Sequence, residues 1–133
     1  MRRFLIVLGM IVGLTGPVAG QSSDIEATIG GQIEAFLADD FSRAFTFASP
    51  TIQNIFRTPE NFGMMVRRGY PMVHRPADVR FLDLREVAGA LWQQVQVTDA
   101  KGTVHLLDYQ MVRMENGWKI NAVQLLEAPG VSA

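Results

Sequence analysis

The stretch from Ala77 to Leu126 constrains this chain most, because it reads as long strands in series. Its last two strands meet at Glu115-Asn116-Gly117-Trp118. Asn-Gly between apolar-rich runs is a strong short-range hairpin signal, since a tight primed turn needs positive φ at both central residues. The expected strands are Asp78 to Val87, Ala90 to Thr98, Thr103 to Met114 and Trp118 to Leu126. Short connections between them imply antiparallel neighbours in a meander. In the first strand Val79 and Phe81 share one phase while Leu82 and Leu84 share the other. A period of two cannot bury both sets on one face, so a bulge or bend is expected near Phe81-Leu82, and it curves the sheet into a cup.

Four helical segments precede the strands. Ser23 and Glu26 stand at capping-box spacing, followed by a stripe of Ile25, Ile29, Ile33, Phe36 and Leu37. Gly30-Gly31 in mid-helix costs about 1 kcal/mol per glycine relative to alanine, which indicates close packing against another element. Asp40 can cap a second helix carrying Phe41, Ala44 and Phe45. Ser49-Pro50 and Thr58-Pro59 start the third and fourth, with proline at the first helical position, where its missing N–H is no loss. Ile52, Ile55 and Phe56 form the buried side of the third; Phe62, Met65 and Val66 that of the fourth, with Gly69 as its C-terminal cap. Tyr70 to Pro76, with two prolines, reads as extended loop.

Met1 to Gly20 carries the pattern of a cleaved export signal: Arg2-Arg3, an apolar run from Phe4 to Leu14, and Val18-Ala19-Gly20. The run is 11 residues long, whereas a bilayer span takes about 20. The mature chain is expected to begin at Gln21, as one α+β domain over residues 21–127 with a flexible tail over 128–133. Such a chain is exported, periplasmic or secreted, with no membrane association once the signal is removed. The 133 residues include no cysteine, so disulfides and thiol chemistry are excluded. Without the signal, ten Lys and Arg face thirteen Asp and Glu, and this balance offers nucleic acid no electrostatic footprint. Two histidines without zinc-ligand spacing make no metal site, and the chain has no Gly-rich phosphate loop and no nucleophile elbow. No cofactor is expected.

Helices followed by a bent antiparallel meander that ends in Gly117-Trp118-Lys119-Ile120 resemble the α+β cone superfold (cystatin/NTF2-like). Nuclear transport factor two, the ketosteroid isomerases and the SnoaL-type polyketide cyclases share it. Tyr109 to Val112, Phe56, Thr58-Pro59, Phe62 and Tyr70-Pro71 extend the resemblance. In more detail the chain resembles an exported bacterial family known as domain of unknown function 4864. The superfold holds isomerases, lyases and non-catalytic binders alike, so fold does not choose among them.

The resemblance to an isomerase implies an Asp base with a Tyr donor. Asp108 fits the base and Tyr70 or Tyr109 the donor, provided that Asp108 faces the cup with Val104, Leu106 and Val112. The opposite parity turns Leu107, Tyr109 and Met111 inward and leaves Asp108 outside. His74, in the proline-bounded link, could exchange a proton near neutrality or be an ordinary loop histidine. Arg67, Arg68, Arg75 and Arg80 form a basic patch there, which suits an anion or simply a solvated helix end. Trp92, Gln94 and Gln96 alternate on one strand face, as in a pocket wall or a homodimer interface on the open sheet face. Asp39-Asp40 reads as a cap and solvated charge, and His105 as a surface residue.

The sequence therefore favours a non-catalytic domain that binds a small apolar or amphipathic ligand, or a protein partner. Its ligand-binding candidates are Tyr70, His74, Trp92, Gln94 and Met111. The alternatives are a cofactor-free isomerase or lyase and a homodimeric interaction subunit.

Overall fold

Caps and prolines punctuate the first half of the chain, and most of them start helices as expected. In the computed structural model, which describes residues 4–126, the order is α1 (Phe4–Leu37), α2 (Phe41–Thr46), α3 (Pro50–Phe56), α4 (Pro59–Gly69) and α5 (Pro71–His74). Strands β1 (Pro76–Val87), β2 (Ala90–Asp99), β3 (Val104–Met114) and β4 (Gly117–Leu126) follow. The tail expected from Ala128 onward lies outside the described residues. Asp40, Ser49 and Thr58 each accept a backbone N–H three residues on, from Arg43, Ile52 and Asn61. These bonds satisfy donors that a helix start leaves open.

Four local expectations are corrected. Ser23 is no cap, because α1 runs continuously through it, and Ser22 Oγ instead stands 3.5 Å from Glu26 Oε2. Gly69 is the last residue of α4 without positive φ, and Tyr70 (φ −135°) takes the cap. The Tyr70–Pro76 link is not all extended, since Pro71 opens the short helix α5. Tyr70, at ψ 55°, leaves the helical region that a following proline disfavours, and Pro71 then presets a helical φ. Finally, Leu37 is 47% exposed although Ile25, Ile29, Ile33 and Phe36 are buried. Asp39, at φ 55°, reverses the chain just beyond it.

The four strands pair antiparallel in sequence order, so the fold is α+β with helices packed on an antiparallel meander. The register shifts between Phe81 and Leu84, at the expected bulge, and again between Gln110 and Met111. Turn chemistry is distributed differently from expectation. Val87 pairs with Ala90, and the intervening Ala88 and Gly89 take φ 52° and 85°, as a primed hairpin turn requires. At the β3–β4 hairpin Met114 pairs with Gly117, and only Gly117 has positive φ, so Asn116-Gly117 is not a primed pair.

Val95, Val97, Leu107, Tyr109, Met111 and Ile120 pack with the α1 stripe in the core. The parity of β3 is thereby decided: Leu107, Tyr109 and Met111 point inward, and Asp108 lies on the other face. The free edge of β4 is blunted by the segment between α2 and α3. Ser49 N–H donates to Ile120 O at 2.8 Å, and Ile120 N–H to Phe47 O at 2.9 Å.

Candidate functional site

The inner face of the sheet does not close completely on the helices. Between them lies a cavity of about 310 Å³, at the lower end of the roughly 300–1,000 Å³ typical of small-molecule sites. Helix α1 contributes Gln32 and Phe36 to its wall, α3 contributes Ile52, Ile55 and Phe56, and α4 contributes Phe62, Met65 and Val66. Tyr70 and Val73 close one side, while Tyr109 and the β4 residues Ile120, Ala122 and Val123 form the floor. Ile55, expected in the core, is 62% exposed on α3 at this wall. Helix α3 buries no residue fully, and it covers the cavity with Ile52 and Phe56 half-buried against the core.

No wall residue carries a formal charge. Three have polar side chains, Gln32, Tyr70 and Tyr109. Gln32 Nε2 donates to Ala44 O at 3.1 Å, and the Tyr70 hydroxyl donates to Val123 O at 3.3 Å. The Tyr109 hydroxyl, on a side chain only 1% exposed, has no hydrogen-bond partner. Buried polar groups are nearly always paired, and Gln93 Oε1 and Trp118 Nε1, outside this cavity, are unpartnered as well. Burial, with a smaller contribution from Tyr70, raises the Tyr109 hydroxyl above the ordinary phenol value of 10.0. It therefore stays protonated and able to donate.

Only part of the expected constellation comes together. Tyr70 and Tyr109 share the cavity, whereas Asp108 sits on the far side of the sheet, 5% exposed. Arg85 holds it there by a two-pronged ion pair, Nη1 to Oδ1 at 3.2 Å and Nη2 to Oδ2 at 2.7 Å. That carboxylate raises the Arg85 pKa further above its ordinary value. Trp92 and Gln94 pair with Gln110 and Asp108 and share that outer face, so they do not line the cavity. Met111 points inward but belongs to the packed core. His74 is outside the cavity too: its ring stacks on Phe41 at 5.7 Å, and Nε2 lies 2.8 Å from Asp39 Oδ1.

Asp39 is more than solvated charge. Arg75 Nη2 reaches both of its oxygens at 3.0 and 2.9 Å, and Arg75 Nη1 donates to Phe36 O. His74 first, then Arg75, hold the Asp39 carboxyl below its ordinary range. The basic patch is otherwise dispersed, with Arg67 over the Phe41 ring at 5.1 Å and Arg80 3.4 Å from Asp78. His105, half-buried, pairs with Asp99. Among the described residues no group of three or more His, Cys, Asp or Glu is arranged to hold a metal, and no helix is long and apolar enough to cross a membrane.

Two features, one on each face of the sheet, escaped the sequence reading. Gln32 stands in helical phase with Ile25, Ile29 and Phe36, and an amide inside an apolar stripe was the available signal. The Arg85 partner of Asp108 had none, because it lies two strands away across two registers.

Residues 19–133 match the family model described as a domain of unknown function, DUF4864. The chain belongs to the DUF4864 family. The match covers the whole described sheet, every cavity residue and the Arg85–Asp108 pair, so this DUF4864 domain carries both features within its family region. No curated protein and no solved structure matches the DUF4864 chain.

Proposed function

We propose that this DUF4864 protein is an exported, non-catalytic domain of cone-like fold that binds a small, largely apolar molecule between its helices and the inner sheet face. The observation that carries this reading is the cavity of about 310 Å³ between helices and sheet, lined mainly by apolar side chains and by none with a formal charge. Protein interiors leave few voids larger than a water molecule, so a cavity of this size offers room for a ligand. A non-catalytic role is favoured by placement, since the sheet separates Asp108 from both tyrosines and no wall residue is a carboxylate or imidazole. Export is favoured by the match beginning at residue 19 and by the described buried stripe beginning at Ile25. Cleavage before Gln21 keeps Ile25, Ile29, Ile33 and Phe36 in the mature chain.

The test uses the full chain expressed with its leader and recovered from the cell envelope. Native mass spectrometry is expected to show a chain starting at Gln21 with a small molecule attached. The neutral fluorophore N-phenyl-naphthylamine is expected to bind the emptied protein, and Met65→Trp, which fills the wall, to lose that binding. Bare protein that also fails to bind the fluorophore would refute the reading.

A further inference from the structure

Because helix α3 walls the cavity and yet ends in a strained turn, we infer that its last turn, residues 53–57, is a gate that opens at Arg57 to admit and release the ligand. The inference rests on the binding reading above and adds the route by which that site fills.

The wall is unevenly built. Among its described residues Ile55 alone is exposed, whereas Phe36, Phe62, Val66, Val73 and Ile120 are buried. A path past those five would unpack a close-packed core. On the β4 side the Tyr70 hydroxyl is bonded across to Val123 O. Helix α3 is the least integrated part of the wall, with no fully buried residue.

The two ends of α3 are held differently. At its start Ser49, 1% exposed, donates its N–H to Ile120 O at 2.8 Å and caps Ile52 N–H. Gln53 Nε2 adds bonds to Phe45 O and Ala48 O. At its end Arg57 stands at φ 74°, ψ −43°, and Thr58 N–H donates to Phe56 O at 2.8 Å. This is a γ-turn of positive φ, the rare and strained form. Glycine tolerates that conformation and arginine does not. Such outliers persist only where their surroundings hold them, and they gather at ligand clamps and switches. Here the holding contacts are few and local. Asn61 Nδ2 donates to Phe56 O at 3.0 Å, and the Phe56 ring meets Phe62 edge-on at 5.8 Å. When Arg57 relaxes to negative φ, the Thr58 and Asn61 bonds to Phe56 O break, and Ile55 and Phe56 leave the wall together. Strain at Arg57 favours opening, and the Asn61 bond favours closure.

Stopped-flow fluorescence of N-phenyl-naphthylamine entering and leaving the protein tests the gate. Arg57→Gly accepts positive φ, so it is expected to hold the gate shut and slow association and dissociation alike, by about fivefold. Asn61→Ala removes the latch and is expected to speed both by about threefold. Neither residue lines the cavity, and the empty and occupied proteins share the closed form, so Kd stays at the wild-type value in each. Hydrogen exchange of the ligand-free protein should open the Arg57 and Thr58 amides faster than those inside α4, and more slowly in Arg57→Gly than in the wild type. Wild-type rates in both variants, or faster entry and exit in Arg57→Gly, would overturn the gate while the cavity reading stands. Exchange at Arg57 and Thr58 no faster than inside α4 would overturn it too. Failure of the fluorophore to bind the wild type would remove gate and binding reading together. If Arg57→Gly does not fold, Asn61→Ala and the wild-type exchange pattern decide the matter alone.

Discussion

The Tyr109 hydroxyl is the most informative single group, because an empty protein gains nothing from it. Removing a buried donor that lacks an acceptor relieves its desolvation cost. Tyr109→Phe should therefore raise the stability of the ligand-free protein by about 1 kcal/mol, read from the urea midpoint. A fall instead would mean that the hydroxyl has a partner in solution. Ala88 is a second residue with a stored cost. It holds φ 52° in the primed turn, a region that glycine adopts freely and alanine does not. Ala88→Gly should stabilise the β1–β2 hairpin by about 1 kcal/mol, again by urea unfolding.

Among the elements, the glycines of α1 and α4 behave oppositely. A side-chain carbon at Gly30 would meet nothing within 4 Å, whereas at Gly63 it would come 2.6 Å from the Phe41 ring. Gly30→Ala should gain roughly 0.5–1 kcal/mol from helix propensity. Gly63→Ala should lose about 1–3 kcal/mol through overpacking, because Phe41 is already bracketed by Arg67 and His74. Thermal unfolding of the pair reads both signs. The expected close packing at Gly30-Gly31 thus applies to Gly31, where a side-chain carbon would come 2.8 Å from the Phe47 ring, and not to Gly30. Helical spacing brought both glycines into view, but only the path of α2 past α1 distinguishes them.

For the whole molecule, two sheet faces serve different ends. Asp108→Asn breaks a half-exposed ion pair on the outer face and should cost about 1–2 kcal/mol, between the surface and buried limits. It should leave fluorophore binding on the inner face unchanged. Lost binding in a folded variant would show that the two faces are coupled. Acid stability follows from Asp39, which links the end of α1 to the junction of α5 and β1. Asp99 does the same for the β2–β3 turn, accepting from Lys101 and Thr103 N–H and pairing with His105. Both carboxyls are held below the ordinary 3.8, Asp99 chiefly by His105 and then Thr103. Their contribution is complete above that value and is lost as pH falls through their lowered folded values. Asp39→Asn with Asp99→Asn should flatten the acid limb of a plot of urea midpoint against pH.

Local chemistry sufficed for the caps at Asp40, Ser49 and Thr58, the α1 stripe from Ile25 to Phe36, the bulge after Phe81 and the four-strand meander. Each depends on neighbours within a few residues, where spacing alone determines which groups meet. The β3 parity was different, because both phases carry apolar residues and only the helices packed against the sheet choose between them. That packing turned Tyr109 inward, sent Asp108 outward to Arg85, and converted an expected acid–base pair into two unconnected features. The cavity, too, exists only in three dimensions. It is a space left between α1, α3, α4 and β4, and no run of residues encodes a void that distant side chains fail to fill. Sequence determined the α+β frame and its periodicities; tertiary packing decided which hydroxyl was left without a partner.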